Sequence, residues 1–240
     1  MTVRLRPLVP ADSGRVHTWR NSAEVAAFMY TDHPISGEEH ARWFAGALAA
    51  SDRRYWIIED DGAPVGLANL TGIDLVRRRC EWAYYLGEAS VRGRGVGAAV
   101  EFIVLDYVFG VMGLHKLWCE VLIDNAPVWK LHESFGFTRE ALYRDHVWKQ
   151  GRFQDVVGLG LLEADWARVR EACAERLAAK AHYLYPRHRH FHKGLNRPGN
   201  RGRENLLMFM RHWTAGRLKR ERNPLYKKLP YSFGMGQRLP

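Results

Sequence analysis

The run Arg92-Gly93-Arg94-Gly95-Val96-Gly97 constrains the fold of this chain more than any other segment. It lies between a strand-like segment and an apolar segment with helical spacing. Glycines at alternate positions let backbone N–H groups approach an anion with no Cβ in the way. The positive end of the following helix points at the same place. The run therefore predicts a cradle for the diphosphate of a nucleotide-like cofactor.

Two common phosphate-binding loops do not fit this run. A dinucleotide-binding fold needs Gly-x-Gly-x-x-Gly at its first strand–helix turn, and a mononucleotide loop ends in Lys-Ser or Lys-Thr. Here the spacing is Arg-x-x-Gly-x-Gly, and neither dipeptide follows it. The run also falls near the middle of the domain, after several strand-like segments, so both readings fail.

A second element lies about thirty residues downstream of the loop. Residues 116–123 are apolar and β-branched, as in a strand. Asn125 then precedes Pro127, which predicts a helix whose first turn is capped by the Asn125 side chain. This helix carries Lys130 and His132 and ends before Gly136.

The two elements together resemble the GNAT family of N-acetyltransferases. The loop is similar to the coenzyme A loop of that family, and residues 125–137 are similar to its Asn-containing helix. Pro127 and Val128 replace the usual small residues, and His132 stands at the usual tyrosine. The resemblance spans residues 1–165 and implies an α+β fold with a mixed, mostly antiparallel sheet flanked by helices. We expect one domain over residues 1–180.

The rest of the domain has the periodicities that this layout requires. Helical spacing and capping signals, including Ser36 three residues before Glu39, predict helices over 10–21, 36–50, 95–109 and 165–180. Alternation and turn residues predict strands over 3–8, 55–59, 64–73, 80–86, 137–147 and 156–162.

The resemblance implies acetyl-CoA as co-substrate and no metal. A splayed end of the central strand, at Tyr84 to Gly87, would offer a backbone N–H to the thioester carbonyl. The residues expected to contact the cofactor are Tyr85, Leu86, Gly87, Arg92, Gly93, Arg94, Gly95, Val96, Gly97, Asn125 and Lys130.

Two residues are candidates for the proton chemistry of acyl transfer. Glu81 lies in an apolar strand, where burial would raise the pKa of a carboxylate and suit it as the base. Alternatively, Glu81 pairs with one of the arginines at 77–79 or faces solvent. His132 would protonate the leaving thiolate as an imidazolium, or it only lines the pantetheine channel. The three cysteines are well separated, and Cys80 and Cys119 read as small core residues.

The N-terminal third resembles the branch of the family that acts in pseudaminic acid biosynthesis on the route to flagellin glycosylation. That branch acetylates the 4-amino group of a UDP-linked 4-amino-4,6-dideoxy-N-acetyl-altrosamine. The residues expected to bind this acceptor are Arg20, Met29, His40, Asn69 and Thr71, with Trp43 beside them. Arg20 would pair with a phosphate. Helical core packing is the competing explanation for Met29 and Trp43, and helix closure for His40.

Charge divides the chain into two parts. From Lys180 onward there are 15 Lys and Arg against two acids, while residues 1–179 hold 21 against 24. The basic extension, residues 181–240, has aromatic residues among its charges. It would bind RNA or an anionic membrane surface, fold on the acidic domain, or form a dimer contact. His188, His190 and His192 lack further metal-ligating neighbours, which disfavours a metal site there.

The resemblance implies an N-acetyltransferase that uses a nucleotide-sugar amine by direct transfer, and a homodimer is among the expected partners. The alternatives are a ribosomal-protein-type N-terminal acetyltransferase, and a nucleic-acid- or membrane-binding protein on a catalytically weak scaffold. The chain shows no signal-peptide pattern and no apolar run near the ~18 residues of a membrane span. We therefore expect a cytoplasmic protein.

Overall fold

The computed structural model describes the backbone of residues 1–183 and the side chains of residues 1–179. The predicted basic extension begins at residue 181. Its expected RNA, membrane or dimer contacts, and its histidines at 188, 190 and 192, therefore lie outside the described residues.

Seven strands form one sheet in the order β1-β2-β3-β4-β5-β7-β6. Only the pair β4–β5 is parallel, and the other five pairs are antiparallel. This is the mixed, mostly antiparallel α+β architecture that the sequence predicts. The strands are β1 Val3–Pro7, β2 Arg54–Asp60, β3 Ala63–Asp74, β4 Arg79–Leu86, β5 Lys116–Leu122, β6 Thr138–Lys149 and β7 Arg152–Leu162.

Helices cover both faces of the sheet. They are α1 Ser13–Asn21, α2 Ala23–Ala26, α3 Gly37–Ala49, α4 Val96–Leu105, α5 Ala126–Ser134 and α6 Glu163–Tyr183, with short turns at Pro10–Asp12 and Ala89–Val91. On one face, α1 and α3 pack on Ile57 and Leu67. On the other face, α4 and α6 pack on Cys80, Trp82 and Leu117. Within the described part of the chain, no helix is long and apolar enough to cross a membrane.

Local sequence signals account for several of the boundaries. The β2–β3 hairpin turns at Asp61 and Gly62, which both adopt positive φ, and the β6–β7 hairpin does so at Gln150 and Gly151. Such φ values match the twist of a two-residue hairpin. The Ser36 hydroxyl accepts the Glu39 amide at 3.1 Å, as predicted for the start of α3.

The helix expected over 95–109 is present, as an α-helix over Val96–Leu105 that continues as a π-helix over Asp106–Val111, and one local prediction was wrong. There the Asp106 carboxylate bonds Trp166 and Arg170 of α6. The Asn125 side chain does not cap α5. Instead, the Asn125 carbonyl accepts from Val128 at 3.0 Å.

Candidate active site

The parallel strands β4 and β5 separate in the middle of the sheet. They pair over only three positions, from Arg79–Lys116 to Glu81–Trp118. Beyond that point, β4 stays paired with β3 and β5 stays paired with β7. Residues 82–86 and 119–122 therefore border a V-shaped gap, whose apex is the point where the pairing ends. Strand edges without a partner present free N–H and C=O groups, so the gap offers backbone donors and acceptors to a ligand.

The glycine loop lies at the wide end of this gap. Gly93 and Gly95 adopt φ of 72° and 88°, in the left-handed region that side chains disfavour. The first helical bond of α4 runs from the Ala99 amide to the Gly95 carbonyl, at 3.1 Å. The amides of Gly97 and Ala98 precede that bond and, as at any helix start, remain for other acceptors. The loop thus has the backbone shape predicted for an anion cradle.

Gly97 also has no room for a side chain. A Cβ at this position would lie 2.8 Å from the Tyr84 hydroxyl. Tyr84 points to this side because it shares the sheet face of Trp82, on whose ring it stacks at 5.3 Å. Burial raises the pKa of Tyr84, so the phenol stays protonated. The first turn of α4 is therefore packed directly on β4.

The arginines of the loop hold it to the sheet. The Arg94 guanidinium pairs with the buried Asp60 carboxylate of β2 at 3.1 Å. Arg92 donates to the Leu86 carbonyl at 3.2 Å. Both side chains thus have partners within the protein, and direct cofactor contact by Arg92 and Arg94 stays a prediction. Their observed effect is to fix the loop.

Helix α1 is also fastened to the entry of the loop. A Cβ on Gly87 would lie 2.2 Å from the Trp19 ring, so Trp19 packs flat on the backbone there. The Trp19 indole donates to the Glu88 carboxylate at 2.8 Å. The helix that carries Arg20 and the segment that leads into the cofactor loop therefore form one packed unit.

We expect Gly95→Ala to destabilise the fold by about 1–2 kcal/mol, because alanine must then adopt a left-handed conformation. Gly14→Ala in α1 is the matched control. A Cβ there meets nothing within 4 Å, so alanine should be neutral or stabilising by up to about 1 kcal/mol. Urea unfolding of the two variants tests the difference, and equal midpoints would contradict the prediction.

Glu81 lies at the apex, on the face that α1 and α3 cover. It is paired in register with Thr71 of β3, and the Thr71 hydroxyl donates to the Glu81 carboxylate at 3.2 Å. Asn69 lies two residues along β3 on the same face. Burial raises the pKa of Glu81, the Thr71 bond lowers it, and nearby Glu120 raises it again, with a net upward shift. Of the arginines considered as ion-pair partners of Glu81, Arg77 pairs with Asp74 and Arg78 pairs with Glu163.

A second carboxylate, Glu120, accompanies Glu81 on this face. It lies on β5 two residues beyond Trp118, the register partner of Glu81. The Tyr30 hydroxyl, from the segment after α2, donates to Glu120 at 2.8 Å. Sequence reasoning missed this residue. The sequence signal that could have identified Glu120 is that a single acidic residue interrupts the apolar strand β5.

Among the described residues, no carboxylate lies within ion-pair distance of the Arg20 guanidinium. Its Nη2 lies 3.4 Å from the Thr31 hydroxyl, and its Nη1 is buried without a partner. Burial lowers the pKa of Arg20, and Tyr85 opposes that shift. The Tyr85 hydroxyl is likewise buried without a partner in the described structure. A cation and a hydroxyl with unused donors suit an anionic ligand group.

The other residues predicted to bind the acceptor substrate have contacts within the protein that account for their positions. The His40 Nε2–H donates to the Ser13 carbonyl, 2.9 Å away, and the ring stacks on His17 at 4.7 Å. These contacts between α1 and α3 explain the position of His40 without a ligand. Trp43 packs on Tyr55 at 5.6 Å, and Met29 is half-buried. Acceptor binding by His40, Trp43 and Met29 stays a prediction.

His132 lies on the opposite face of the sheet and is 2 % exposed. Its Nδ1 is 2.9 Å from a carboxylate oxygen of Glu101, on α4. The rings of Trp82 and Phe137 each lie 5.2 Å from the imidazole. Burial alone would lower the pKa of His132, but Glu101 and the Cys119 thiol outweigh it and raise the pKa above its ordinary value.

Sequence reasoning missed Glu101. The available signal was its isolation, because it is the one charged residue in α4. The other predicted contacts of α5 lie near its outer side: Lys130 is exposed and sits 5.3 Å from the Trp129 ring. Cofactor contact by Lys130 and Asn125 stays a prediction.

The cysteines behave as core residues. Burial raises the pKa of the Cys80 thiol to about 12, and Cys119 is 3 % exposed. Among the described residues, no group of three or more His, Cys, Asp and Glu side chains could hold a metal ion.

Comparison with known proteins identifies relatives of this chain. The family model of the acetyltransferase (GNAT) domain matches residues 2–138. The spermidine N(1)-acetyltransferase of Vibrio cholerae is 24% identical over 163 residues, which cover 68% of this chain and 94% of that protein. The acetyltransferase PseH of Campylobacter jejuni is 27% identical over 123 residues, covering 51% and 74%.

A solved structure has the same fold. The spermidine N-acetyltransferase of Vibrio cholerae in complex with CoA and spermine superposes with a TM-score of 0.65 at 23% identity. The superposition covers 69% of this chain and 98% of the other.

Proposed function

Since the chain belongs to the GNAT family and is an acetyl-CoA-dependent N-acetyltransferase, we propose that its acceptor is the amino group of a UDP-linked 4-amino-4,6-dideoxy sugar. The observation that carries this proposal is Arg20, whose buried Nη1 has no partner in the described structure. A diphosphate supplies the counter-charge that this guanidinium lacks. The likeness to PseH over half of the chain supports the same substrate class.

The gap and the loop fit acetyl-CoA. The glycine conformations at 93 and 95 open the backbone to a diphosphate, and the separated edges of β4 and β5 leave space for a pantetheine arm. The β4 edge near Tyr84 and Tyr85 then donates a backbone N–H to the thioester carbonyl and polarises it. These residues bind and orient the co-substrate.

Glu81 prepares the acceptor for attack. Its carboxylate removes a proton from the acceptor ammonium, directly or through one water, and passes it to solvent. The amine nitrogen then bonds to the carbonyl carbon and loses its second proton to Glu81, which has already released the first. The C–S bond breaks, and the sulfur keeps its electron pair. Transfer is direct, because the free cysteines are buried and burial raises the pKa of the Cys80 and Cys173 thiols, whereas a cysteine nucleophile must be a thiolate.

A polyamine is the second candidate acceptor. Glu81 and Glu120 lie on one face at the apex, and two carboxylates attract a molecule with more than one ammonium group. The likeness to spermidine N(1)-acetyltransferase over most of the chain points the same way. The buried Arg20 Nη1, which has no partner in the described structure, favours the anionic sugar nucleotide over a polyamine.

A panel of acceptors tests the choice. Steady-state turnover is measured with acetyl-CoA and a UDP-4-amino sugar, spermidine, an aminoglycoside or a peptide with a free N-terminus. We expect the highest kcat/KM with the UDP-amino sugar. Preferred turnover of spermidine or of the peptide would overturn the proposal.

Arg20→Ala tests the residue that carries the proposal. We expect KM for the UDP-amino sugar to rise about 10-fold or more, because a hydrogen bond to a charged group contributes about 1.5–3 kcal/mol. Turnover of spermidine and the Kd for acetyl-CoA should not change. Arg42→Ala, which removes an exposed arginine of α3, is the matched control. An unchanged KM in Arg20→Ala would exclude Arg20 as the phosphate contact.

A further inference from the structure

The buried pair Glu101–His132 is the one ionic contact of the described core whose two side chains are almost completely buried. The side chains of Glu101 and His132 are 0% and 3% exposed. One Glu101 oxygen bonds His132 Nδ1, and the other is buried without a partner in the described structure. A buried ion pair is costly to keep and contributes little to stability by itself. Its place in the fold therefore points to a role in the reaction.

The pair lies directly behind the apex of the gap. Trp82 is the first β4 residue beyond the last β4–β5 pair, and Cys119 is the first such residue of β5. The His132 ring contacts both, lying 5.2 Å from the Trp82 ring and within interaction range of the Cys119 thiol. Glu81 lies at the same apex on the other face. The carboxylate and the imidazole thus flank the gap from opposite sides.

We propose that Glu101 is a positioning residue that holds His132 as an imidazolium, with its Nε2–H toward the gap, so that the departing thiolate of CoA is stabilised by charge. The inference rests on acetyl transfer from CoA, and it does not depend on which amine accepts the group. Glu101 fixes the ring through Nδ1, as the carboxylate of a catalytic triad fixes its histidine.

The electrons and protons of the step balance without a further reactant. When the C–S bond breaks, its electron pair stays on sulfur, and the imidazolium proton remains on nitrogen beside it. The proton lost by the amine leaves through Glu81 on the opposite face. His132 therefore needs no reprotonation between turnovers.

Few other charges or titratable groups face the pair. They are Tyr84 from β4, Cys119 from β5 and Cys173 from α6, all of which interact with Glu101 or with each other. Burial raises the pKa of Tyr84 and of Cys173, so both stay neutral near pH 7. The charge state of His132 is therefore decided mainly by Glu101.

The test measures the thiol pKa of CoA bound to the full-length protein, from the ultraviolet absorbance of the thiolate. Free CoA, titrated in the same buffer, gives the reference pKa of the thiol. We expect the bound thiol pKa in the wild type to lie about one unit or more below that value. In Glu101→Gln it should return to the ordinary value or above, because neutral glutamine no longer holds the proton on His132.

Glu133→Gln is the matched control. It removes the carboxylate next to His132 on α5, which pairs with Arg139 at the surface, and it should leave the bound thiol pKa unchanged. Desulfo-CoA gives a second readout. Wild type should bind CoA about 10-fold more tightly relative to desulfo-CoA at alkaline pH than Glu101→Gln does.

A wild-type bound thiol pKa at or above the free value overturns the inference, whether or not the variant folds. An equally low value in Glu101→Gln does so too. Neither outcome bears on the acceptor, because no acceptor is present in the experiment. Preference for spermidine, conversely, would overturn the acceptor proposal and leave the role of Glu101 intact.

Discussion

Glu81→Gln is expected to lower kcat/KM about 100-fold or more near neutral pH, since general base catalysis contributes about 10²–10⁴-fold. The amide has nearly the same shape as the carboxylate and still accepts the Thr71 hydroxyl, which lies 3.2 Å from the native carboxylate. It cannot take a proton from an ammonium group. The Kd for acetyl-CoA should stay within about twofold of wild type.

The pH profile separates loss of the base from a change of shape. A base works only when deprotonated, and the pKa of Glu81 is raised. Wild-type kcat/KM should therefore fall as the pH drops through that raised pKa, and Glu81→Gln should lack this acid limb. Thr71→Val removes a bond that lowers the pKa of Glu81, so its acid limb should move to higher pH.

Glu38→Gln removes an exposed carboxylate of α3 and is the control for the change in net charge. It should retain the wild-type rate and profile. A Glu81→Gln enzyme with the wild-type rate across the pH range would remove Glu81 from the mechanism.

Gly97→Ala is expected to weaken acetyl-CoA binding about 10- to 100-fold, because overpacking a tight contact costs about 1–3 kcal/mol. The new Cβ would lie 2.8 Å from the Tyr84 hydroxyl. Either the first turn of α4 moves away from β4 or the Tyr84 ring leaves its stack on Trp82. The first movement displaces the amides that are proposed to bind the diphosphate, and the second removes the Tyr84 side chain that packs against them. Isothermal calorimetry with acetyl-CoA measures the loss.

Tyr84→Phe offers a rescue of this variant. Without the hydroxyl, the nearest Tyr84 atoms to a Cβ at 97 are ring carbons at 3.5 Å, an ordinary contact. The double variant Gly97→Ala/Tyr84→Phe should therefore recover most of the affinity that Gly97→Ala loses. Equal affinity of Gly97→Ala and wild type, or no recovery in the double variant, would show that this contact does not shape the cradle.

The sequence predicted the parts of the site that depend on local patterns. The glycine loop has positive φ at Gly93 and Gly95, and glycine in the sequence is a direct indicator of such positions. The strand that carries Glu81 and the helix that carries His132 have clear periodicity, so both were placed correctly. Their roles in catalysis stay predictions.

The parts that were missed depend on tertiary contacts. Glu101 was missed because it meets His132 only in the tertiary structure, and no pattern within α4 or α5 predicts that these two side chains lie together. Glu120 needs the parallel register of β4 and β5, which brings it to the face of Glu81. The Asn125 cap failed for a local reason, since the Asn125 backbone at φ −86° and ψ 52° is not extended as a side-chain cap requires.

The contacts of Trp19 with Gly87 and Glu88 connect the proposed acceptor site at Arg20 with the proposed acetyl-CoA site at the glycine loop. The residue after Trp19 is the cation proposed to hold the acceptor, and the residues after Glu88 lead into the cofactor loop. A ligand that reorients α1 is therefore expected to shift the loop as well, and a ligand that reorients the loop is expected to shift α1. Because such coupling is reciprocal, any factor by which the amine substrate tightens acetyl-CoA is the factor by which acetyl-CoA tightens the amine. We therefore expect the ternary complex to assemble cooperatively, through the contacts of Trp19.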